Sequence, residues 1–315
     1  MATSGTATSR LDWLIFLALG LMWGSSYLFI KIGVETLTPF TLIALRLGIG
    51  LIVLAAVVAV AREPLPRSAR MYGHLVVMSI VSVALPFFLI TFAEQTTDSA
   101  LAAIFGASVP LFVIVIAAIF LRDEPITVNR LAGLAIGFTG VVLLASPGLA
   151  AVSGSNPIGE IALIGSSLSY AAGGVYARRN VRELRPMIAA VFQVGFAFVI
   201  SAVLALVLER PFETVVRPDT VISVLWLGIL GSGLAYLAFF RLLGRWGATR
   251  TSLVAYLLPV VGIVLGVLVL SEQMDARILL GTAFVIGGVA LVNSRFGQRR
   301  LFGRQDAETV AAPRP

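Results

Sequence analysis

Apolar residues in this chain occur in ten long runs, each bounded by short polar or charged stretches. A helix needs about 20 mostly apolar residues to cross the hydrocarbon core of a bilayer. The runs are close to that length and occupy residues 13–32, 39–61, 73–93, 99–121, 129–145, 159–177, 186–208, 221–240, 248–270 and 276–293. The pattern therefore predicts an all-α membrane protein with ten transmembrane helices.

The second half of the chain repeats the first. One copy reads VPLFVIVIAAIFLRDE and then LAGLAIGFTGVVLLAS, and the other reads LPVVGIVLGVLVLSEQ and then LLGTAFVIGGVALVNS. In this alignment Gly133 falls on Gly281, and Gly140 falls on Gly288. Each copy holds five runs, so the second copy must enter the membrane from the opposite side. The sequence thus predicts two inverted five-helix repeats, which commonly place a substrate site between them.

Basic residues set the expected orientation, because positively charged loops stay in the cytoplasm. Most of the 23 basic residues lie in alternate loops and in the C-terminal tail. Both termini are therefore predicted to be cytoplasmic. The expected division is a disordered N-terminus at 1–10, a first repeat at 11–146, an outer linker at 147–157, a second repeat at 158–294 and a cytoplasmic tail at 295–315.

Composition agrees with a membrane location and excludes several kinds of site. Hydrophobic residues make up 58% of the chain and charged residues 12%, against about 25% charged residues in soluble domains. The net charge of +7 reflects topology, so no nucleic-acid partner is expected. With no cysteine and one histidine, His74, no metal or other cofactor is expected. The only lysine, Lys31, lies in Ile-Lys-Ile, so a phosphate-binding loop for ATP is excluded.

Several motifs occur in an order that identifies a family. They are Trp23-Gly24-Ser25-Ser26, Pro39 followed by Arg46, the turn at 94–100 leading to Pro110, and Asp123-Glu124 followed by Gly133 and Gly140. In their order, spacing and duplication, the chain resembles an EamA-type transporter of the drug/metabolite transporter superfamily over residues 11–294. The resemblance implies a ten-helix bundle around a central cavity, lined mainly by the first, third and fourth helices of each half. It also implies transport of amino acids, other metabolites or drugs, often outward.

Arg46 is the main candidate for substrate binding. It lies seven residues into the second run, about 10 Å below the outer end at 1.5 Å per residue. An ionised side chain at this depth is costly unless it faces water or a partner. It either binds a substrate carboxylate or is a structural arginine that reaches outward or joins two helices. Gln193 occupies the corresponding position of the second half, so the halves are expected to contribute unequally.

Aromatic and hydroxyl side chains extend the candidate site. Trp23, Ser26 and Tyr27 share one face of the first helix by their spacing, and Tyr170 occupies the place of Trp23 in the second half. The same residues would also suit a packing stripe. The full candidate substrate-binding set is Trp23, Ser26, Tyr27, Arg46, Ser108, Ser166, Tyr170, Gln193, Tyr236 and Tyr256. Pro110 and Pro259 each remove a helical hydrogen bond and predict kinks, either as hinges or as static bends.

The acidic residues are concentrated at the ends of the runs. Glu94 and Asp98 belong to a turn that is expected to be solvated, with guarding of the cavity mouth as the alternative. Glu272 is expected to act in helix capping or turn formation. No carboxylate lies deep in a run, so a buried proton relay is not predicted. Proton coupling through a border residue such as Glu94 remains open, as do exchange and uncoupled transport.

The sequence therefore predicts a secondary transporter for a small organic metabolite, with export of amino acids or related zwitterions as the favoured activity. The alternative is efflux of drugs or lipophilic cations. An integral-membrane enzyme is disfavoured, because it would need clustered His, Asp, Glu or Cys near one membrane face. The expected location is the inner membrane of a bacterial cell, in contact with lipid. The oligomeric state stays open.

Overall fold

The computed structural model of the chain describes residues 10–62, 65–120, 126–145, 157–181, 183–213, 217–293 and 300–302. Residues 1–9, the Asp123-Glu124 motif, and most of the predicted linker and tail lie outside the described residues. The α-helices are α1 (Arg10–Gly24), α2 (Ser26–Gly33), α3 (Pro39–Ala61), α4 (Ala69–Ser79), α5 (Leu85–Glu94), α6 (Ser99–Gly106), α7 (Val109–Phe120), α8 (Val128–Ala145), α9 (Pro157–Asn180), α10 (Pro186–Leu208), α11 (Pro218–Leu225), α12 (Ala235–Thr251), α13 (Leu257–Leu270) and α14 (Ala276–Asn293).

Three segments of other helical type join these elements. Ile80–Ala84 and Trp226–Leu234 are π-helical, and Ser252–Tyr256 is a 3₁₀-helix. Two short strands, β1 (Ile126–Thr127) and β2 (Arg300–Phe302), pair antiparallel. This ladder joins part of the predicted tail to the segment that precedes α8. Apart from it, the regular structure of the described residues is helical.

Eight helical stretches of the described chain are long and apolar enough to cross a membrane. They are Arg10–Gly33, Pro39–Ala61, Ala69–Glu94, Ser99–Phe120, Pro157–Asn180, Pro186–Leu208, Pro218–Trp246 and Leu253–Leu270. Two shorter apolar helices, Val128–Leu144 and Ala276–Val292, coincide with the fifth and tenth predicted runs. Large apolar side chains such as Ile52, Val60 and Leu268 are exposed, as expected where lipid replaces water. The chain is a multi-pass membrane protein.

Local sequence explains where several helices begin or break. Prolines occupy the first turn of α3, α10 and α11, where the missing N–H has no helical partner to lose. The fourth span breaks at residues 107–108, directly before Pro110. Pro259 is buried in α13, shortly after the 3₁₀ segment. Both predicted kink positions therefore lie beside irregular helical geometry.

The core is built around α6, whose residues from Ser99 to Phe105 are all buried. Helices also approach each other closely at the seam between α8 and α14. A methyl group on Gly133 would lie 2.6 Å from the Gly288 carbonyl oxygen, and one on Gly140 would lie 2.7 Å from the Gly281 carbonyl oxygen. Such distances require glycine, so backbone contacts backbone along this seam.

Candidate functional site

Arg46 is buried in the first half of α3, with 4% of its surface exposed. Its Nε donates a hydrogen bond to Ser232 Oγ at 3.1 Å, and its Cζ lies 4.1 Å from the centroid of the Phe87 ring. Within the described residues the guanidinium makes no other hydrogen bond and no ion pair. The cation is therefore stabilised by a hydroxyl and an aromatic face, and its acid-binding groups remain unused.

The π-helical segment Trp226–Leu234 supplies the polar partner of Arg46. A methyl group on Gly231 would lie 2.9 Å from Ser26 Oγ and 3.5 Å from Arg46 Nη2. Glycine at this position therefore lets the second half approach both side chains. Ser26 Oγ donates to the Met22 carbonyl oxygen at 2.8 Å. Widened helical turns of this kind are frequent at functional sites.

Three tyrosines surround the same arginine. Tyr27, Tyr170 and Tyr236 lie within electrostatic range of the Arg46 guanidinium, as does Glu94. The Tyr27 hydroxyl occupies the space where Gly106 would otherwise carry a side chain. Tyr170 packs against the two largest apolar clusters, and Tyr236 packs against the second of them. Arg46, Ser26 and the three tyrosines thus form one group, which we call the Arg46 site together with Phe87, Gly231 and Ser232.

The other candidate residues make different contacts. Trp23 packs on Phe239, with ring centroids 5.4 Å apart, in a separate apolar cluster. Ser108 and Ser166 each donate to a carbonyl three residues earlier, at 2.6 and 2.7 Å. Gln193 is buried on α10. Tyr256 borders the main core. Trp23 and Tyr170 thus pack against different apolar clusters.

Arg46 lines neither of two pockets that described residues form. One of about 370 Å³ lies between α5 and α9 and is lined by Phe88, Leu89, Phe92, Ile158, Ile161, Ala162 and Gly165. The other, of about 290 Å³, is lined by Ser68, Arg70, Met71, His74, Arg179, Asn180 and Glu183. Because only 4% of the Arg46 surface is exposed, a solute can contact its guanidinium only if the surrounding helices move.

Carboxylates from the second half cap helices of the first half at one end of the bundle. Glu272 accepts hydrogen bonds from the Ser99 amide and hydroxyl, both at 2.7 Å, and from the Ala100 amide at 3.0 Å. Glu209 accepts from the Phe40 and Thr41 amides at 2.9 and 2.8 Å. Both acids therefore sit at helix N-termini, where negative charge is favoured. The capping role expected for Glu272 is confirmed.

The expectation that Glu94 belongs to a solvated turn is wrong. Glu94 is fully buried at the end of α5, and Lys31 Nζ donates to the carbonyl oxygens of Glu94 and Thr97, each at 2.8 Å. The turn is covered because α9 packs against it: Gly159 lies directly on Thr97 Oγ1. We call this end of the bundle the Glu94 end.

Charged residues also connect the two halves at the opposite end of the bundle. Asp12 on α1 is buried, and its carboxylate lies 3.1 Å from Arg245 Nε and 3.8 Å from Arg241 Nε on α12. His74 Nδ1 and the Tyr176 hydroxyl are 2.8 Å apart. We call this the Asp12 end. The Arg46 site thus lies between two polar layers, each of which links the two halves of the chain.

Sequence reasoning missed Phe87, Gly231, Ser232 and the burial of Glu94. Only the Gly-Ser-Gly at 231–233 carried a signal, since small residues in an apolar run permit close helix approach. Phe87 is one of 19 phenylalanines, and nothing in its neighbourhood distinguishes it. These contacts depend on which helices become neighbours.

Known proteins resemble this chain along most of its length. An EamA-like transporter family model matches residues 12–146 and again 157–294. An uncharacterized inner membrane transporter of Escherichia coli K12, YedA, is 28% identical over 87% of this chain and 88% of its own. A probable amino-acid metabolite efflux pump of Salmonella typhimurium is 25% identical over 93% of this chain and 98% of its own.

A solved crystal structure also has this fold. It has a TM-score of 0.64 with 22% sequence identity, and the alignment covers 90% of this chain and 98% of the other. The two matches of the family model together cover nearly all of the helical chain. The protein therefore belongs to the EamA-like transporter family.

Proposed function

We propose that this protein is a secondary transporter that exports amino acids or related zwitterions across the bacterial inner membrane. The observation that carries the proposal is the buried Arg46 cation, which forms no ion pair among the described residues and has Glu94 only within electrostatic range. A carboxylate can form charge-assisted hydrogen bonds with such a guanidinium. The Salmonella relative, named a probable amino-acid metabolite efflux pump, supports the same cargo class.

The aromatic rings around Arg46 suit the apolar part of such a cargo. Phe87 already covers one face of the guanidinium at 4.1 Å, and the three tyrosines offer hydroxyls and ring edges. Efflux of lipophilic cations, the competing activity, would use the same rings. The charge of Arg46 opposes it, because a second cation placed nearby would be repelled in a low-dielectric site.

We further propose ten membrane spans in two inverted repeats, 11–146 and 158–294. Two consecutive matches of one family model support this division. The packing supports it too: the α1–α12 pair mirrors the α9–α5 pair, and α8 packs on its counterpart α14. In that seam Gly133 faces Gly288 while Gly140 faces Gly281. A two-fold relation between aligned glycines produces this reciprocal pairing.

In the proposed orientation the Asp12 end is cytoplasmic and the Glu94 end faces outward. Alternating access then opens one polar layer at a time, as inverted repeats permit. Opening inward separates Asp12 from Arg245, which are 3.1 Å apart here. Opening outward separates Glu272 from Ser99 and Glu209 from Thr41. The cycle is proposed to need no ATP, cofactor or metal, and the protein acts as a permease and not as an enzyme.

Flux through purified protein in liposomes tests the proposal. A panel of labelled amino acids is compared with their amides, in which an uncharged carboxamide replaces the carboxylate, in the wild type and in Arg46→Gln. We expect Arg46→Gln to slow flux of the acid at least about tenfold and flux of the amide much less, since charge-assisted hydrogen bonds are worth about 1.5–3 kcal/mol. Arg210→Gln, which removes an exposed arginine, is the matched control. Equal losses for acid and amide, or no amino-acid flux in the wild type, would contradict the proposed cargo.

A further inference from the structure

Glu94 differs from the other carboxylates at its end of the bundle. Both of its carboxylate oxygens are buried, and within the described residues neither has a hydrogen-bond partner or an ion-pair partner. Glu272, by contrast, accepts three hydrogen bonds. An ionised carboxylate without water or a partner is strongly disfavoured in an apolar interior. In this arrangement Glu94 is therefore held as the neutral acid.

The neighbouring lysine does not provide the missing partner. Lys31 Nζ directs hydrogen bonds to two backbone carbonyls, those of Glu94 itself and of Thr97. Thr97 Oγ1 is also buried without a partner in the described chain. Lys31 thus caps the C-terminal end of α5 and leaves the adjacent carboxyl group unsatisfied.

Charged and titratable groups reach this region from each helix packed around it. They are Tyr27 and Lys31 on α2, Arg46 on α3, Asp98 before α6, Glu272 after α13, and Glu160 on α9, which lies 3.7 Å from Arg277. Burial and the negative charge of Glu272 raise the pKa of Asp98, while Lys31 lowers it. The two positive charges of Lys31 and Arg46 are equal in number to the two negative charges of Glu272 and Asp98. A charge on Glu94 would leave this group with an excess of one negative charge.

We propose that Glu94 is a proton-binding site whose occupancy keeps the Glu94 end of the bundle closed. When that end opens, water reaches the carboxyl group and it releases its proton to the solvent. When the end closes, the proton is taken up again. High pH on that side therefore favours opening, and low pH favours closure. The link to export rests on the proposed function, whereas the proton site itself can be tested without a substrate.

A substrate ammonium group is the competing ligand for this carboxylate. It does not fit the observed arrangement, because both carboxylate oxygens are buried and no space beside them is open to an ammonium group from solvent. A proton needs no such space. The two ligands also differ in what they require of the side chain: glutamine mimics a protonated glutamate but cannot neutralise an ammonium ion.

Accessibility of an introduced cysteine tests the proton site. The natural chain has no cysteine, and Thr97→Cys places one thiol beside Glu94 without removing a side-chain hydrogen bond. Full-length protein in lipid nanodiscs is reacted with a charged methanethiosulfonate from about pH 5 to about pH 9, a range in which buried carboxyls titrate. Each rate is divided by the rate for the unfolded protein at the same pH, which removes the effect of thiol ionisation.

With Glu94 present, we expect the normalised rate to rise at least about tenfold as pH increases, which corresponds to about 1.4 kcal/mol between open and closed forms. With Glu94→Gln it should stay low at every pH. Glu35→Gln, which removes an exposed carboxylate at the same end, should follow the wild type. A pH-dependent rise that persists in Glu94→Gln would overturn the proposal.

Two further measurements separate the remaining explanations. If Glu94→Gln fails to fold, as judged by melting temperature, Glu94→Leu is used and the same low, pH-independent rate is expected. If Glu94 binds a substrate ammonium, Glu94→Gln keeps the wild-type labelling profile and loses amino-acid binding at all pH values, which also overturns the proton site. Absence of amino-acid flux in the wild type would refute the proposed cargo alone, because labelling requires no substrate.

Discussion

The α8–α14 seam and the Arg46 site are both buried contacts between the two halves, but they are built in opposite ways. In the seam, glycines bring backbone against backbone, with 2.6 Å from a Gly133 methyl position to the Gly288 oxygen. At the Arg46 site, a cation meets one hydroxyl and one ring. The seam is complete without any further group. The Arg46 cation forms no ion pair with any described residue, and this difference distinguishes a scaffold contact from a proposed binding site.

Gly288→Ala should have the largest effect on stability. A methyl group there would lie 2.5 Å from the Gly137 nitrogen and 2.6 Å from the Gly133 oxygen, so the helices must separate. We expect a loss of about 2–3 kcal/mol in the free energy of unfolding, in the upper part of the range for overpacking. Thermal unfolding of the purified protein measures it.

Gly287→Ala is the matched control for the seam, because no atom lies within 4 Å of the position its methyl group would take. It should leave stability unchanged or raise it by up to about 1 kcal/mol, since alanine favours helix more than glycine does. Equal melting temperatures for the two variants would show that the seam tolerates expansion and would remove the contrast with the Arg46 site.

Glu272→Gln measures how much a fully hydrogen-bonded carboxylate contributes to stability. Its carboxylate accepts hydrogen bonds from Ser99 and Ala100 at the start of α6, and glutamine keeps the shape but loses the charge. We expect a stability loss of about 1–2 kcal/mol, from weaker hydrogen bonds and a lost helix-terminus interaction. Glu213→Gln, at an exposed acid, should change the melting temperature little. If both variants melt alike, the cap is not a stabilising contact.

Gly231→Ala tests whether a glycine at the Arg46 site is required for close packing, as the glycines of the seam are. The added methyl group would meet Ser26 Oγ at 2.9 Å and Arg46 Nη2 at 3.5 Å, which are side-chain atoms that can shift. The stability loss should stay below about 1 kcal/mol, because a lower helix cost partly offsets the clash. Amino-acid flux should fall several-fold as Arg46 is displaced. Gly174→Ala, which has open space around it, should transport at the wild-type rate.

Arg46→Met should have the smallest effect on stability. Arg46 forms no ion pair among the described residues, and an apolar residue of similar length avoids the cost of burying a charge. The melting temperature should therefore stay the same or rise while amino-acid flux is lost. A marked fall in melting temperature would assign Arg46 to the scaffold, together with the seam glycines.

The membrane spans could be predicted because apolar run length is a local property of the sequence. The run at 39–61 coincides with α3, and the run at 186–208 with α10. The π-helical segments could not be predicted in this way. Trp226–Leu234 has no charged residue and one polar side chain, Ser232, so a change in winding leaves no trace in its hydrophobic pattern.

The site was predictable only where a residue contrasted with its surroundings. Arg46 stands out as a charge in an apolar run, whereas Phe87 does not stand out among its apolar neighbours. Glu94 was misjudged for the opposite reason: it is followed closely by polar residues, as in a solvated turn. Its burial depends on contacts with α2 and α9, which the local sequence does not encode.

The winding of Trp226–Leu234 has a mechanical consequence. An α-helix turns by about 100° per residue, so a widened turn changes the rotational phase of α12 relative to α11. Ser232 lies within this turn and bonds Arg46, while Arg245 lies beyond it and faces Asp12. If the turn tightens into a regular α-helix, α12 rotates about its axis and carries Arg245 around with it. A change in winding of this one turn, caused by a solute bound at the Arg46 site, can thus rotate α12 and alter its contact with Asp12 at the far end of the bundle.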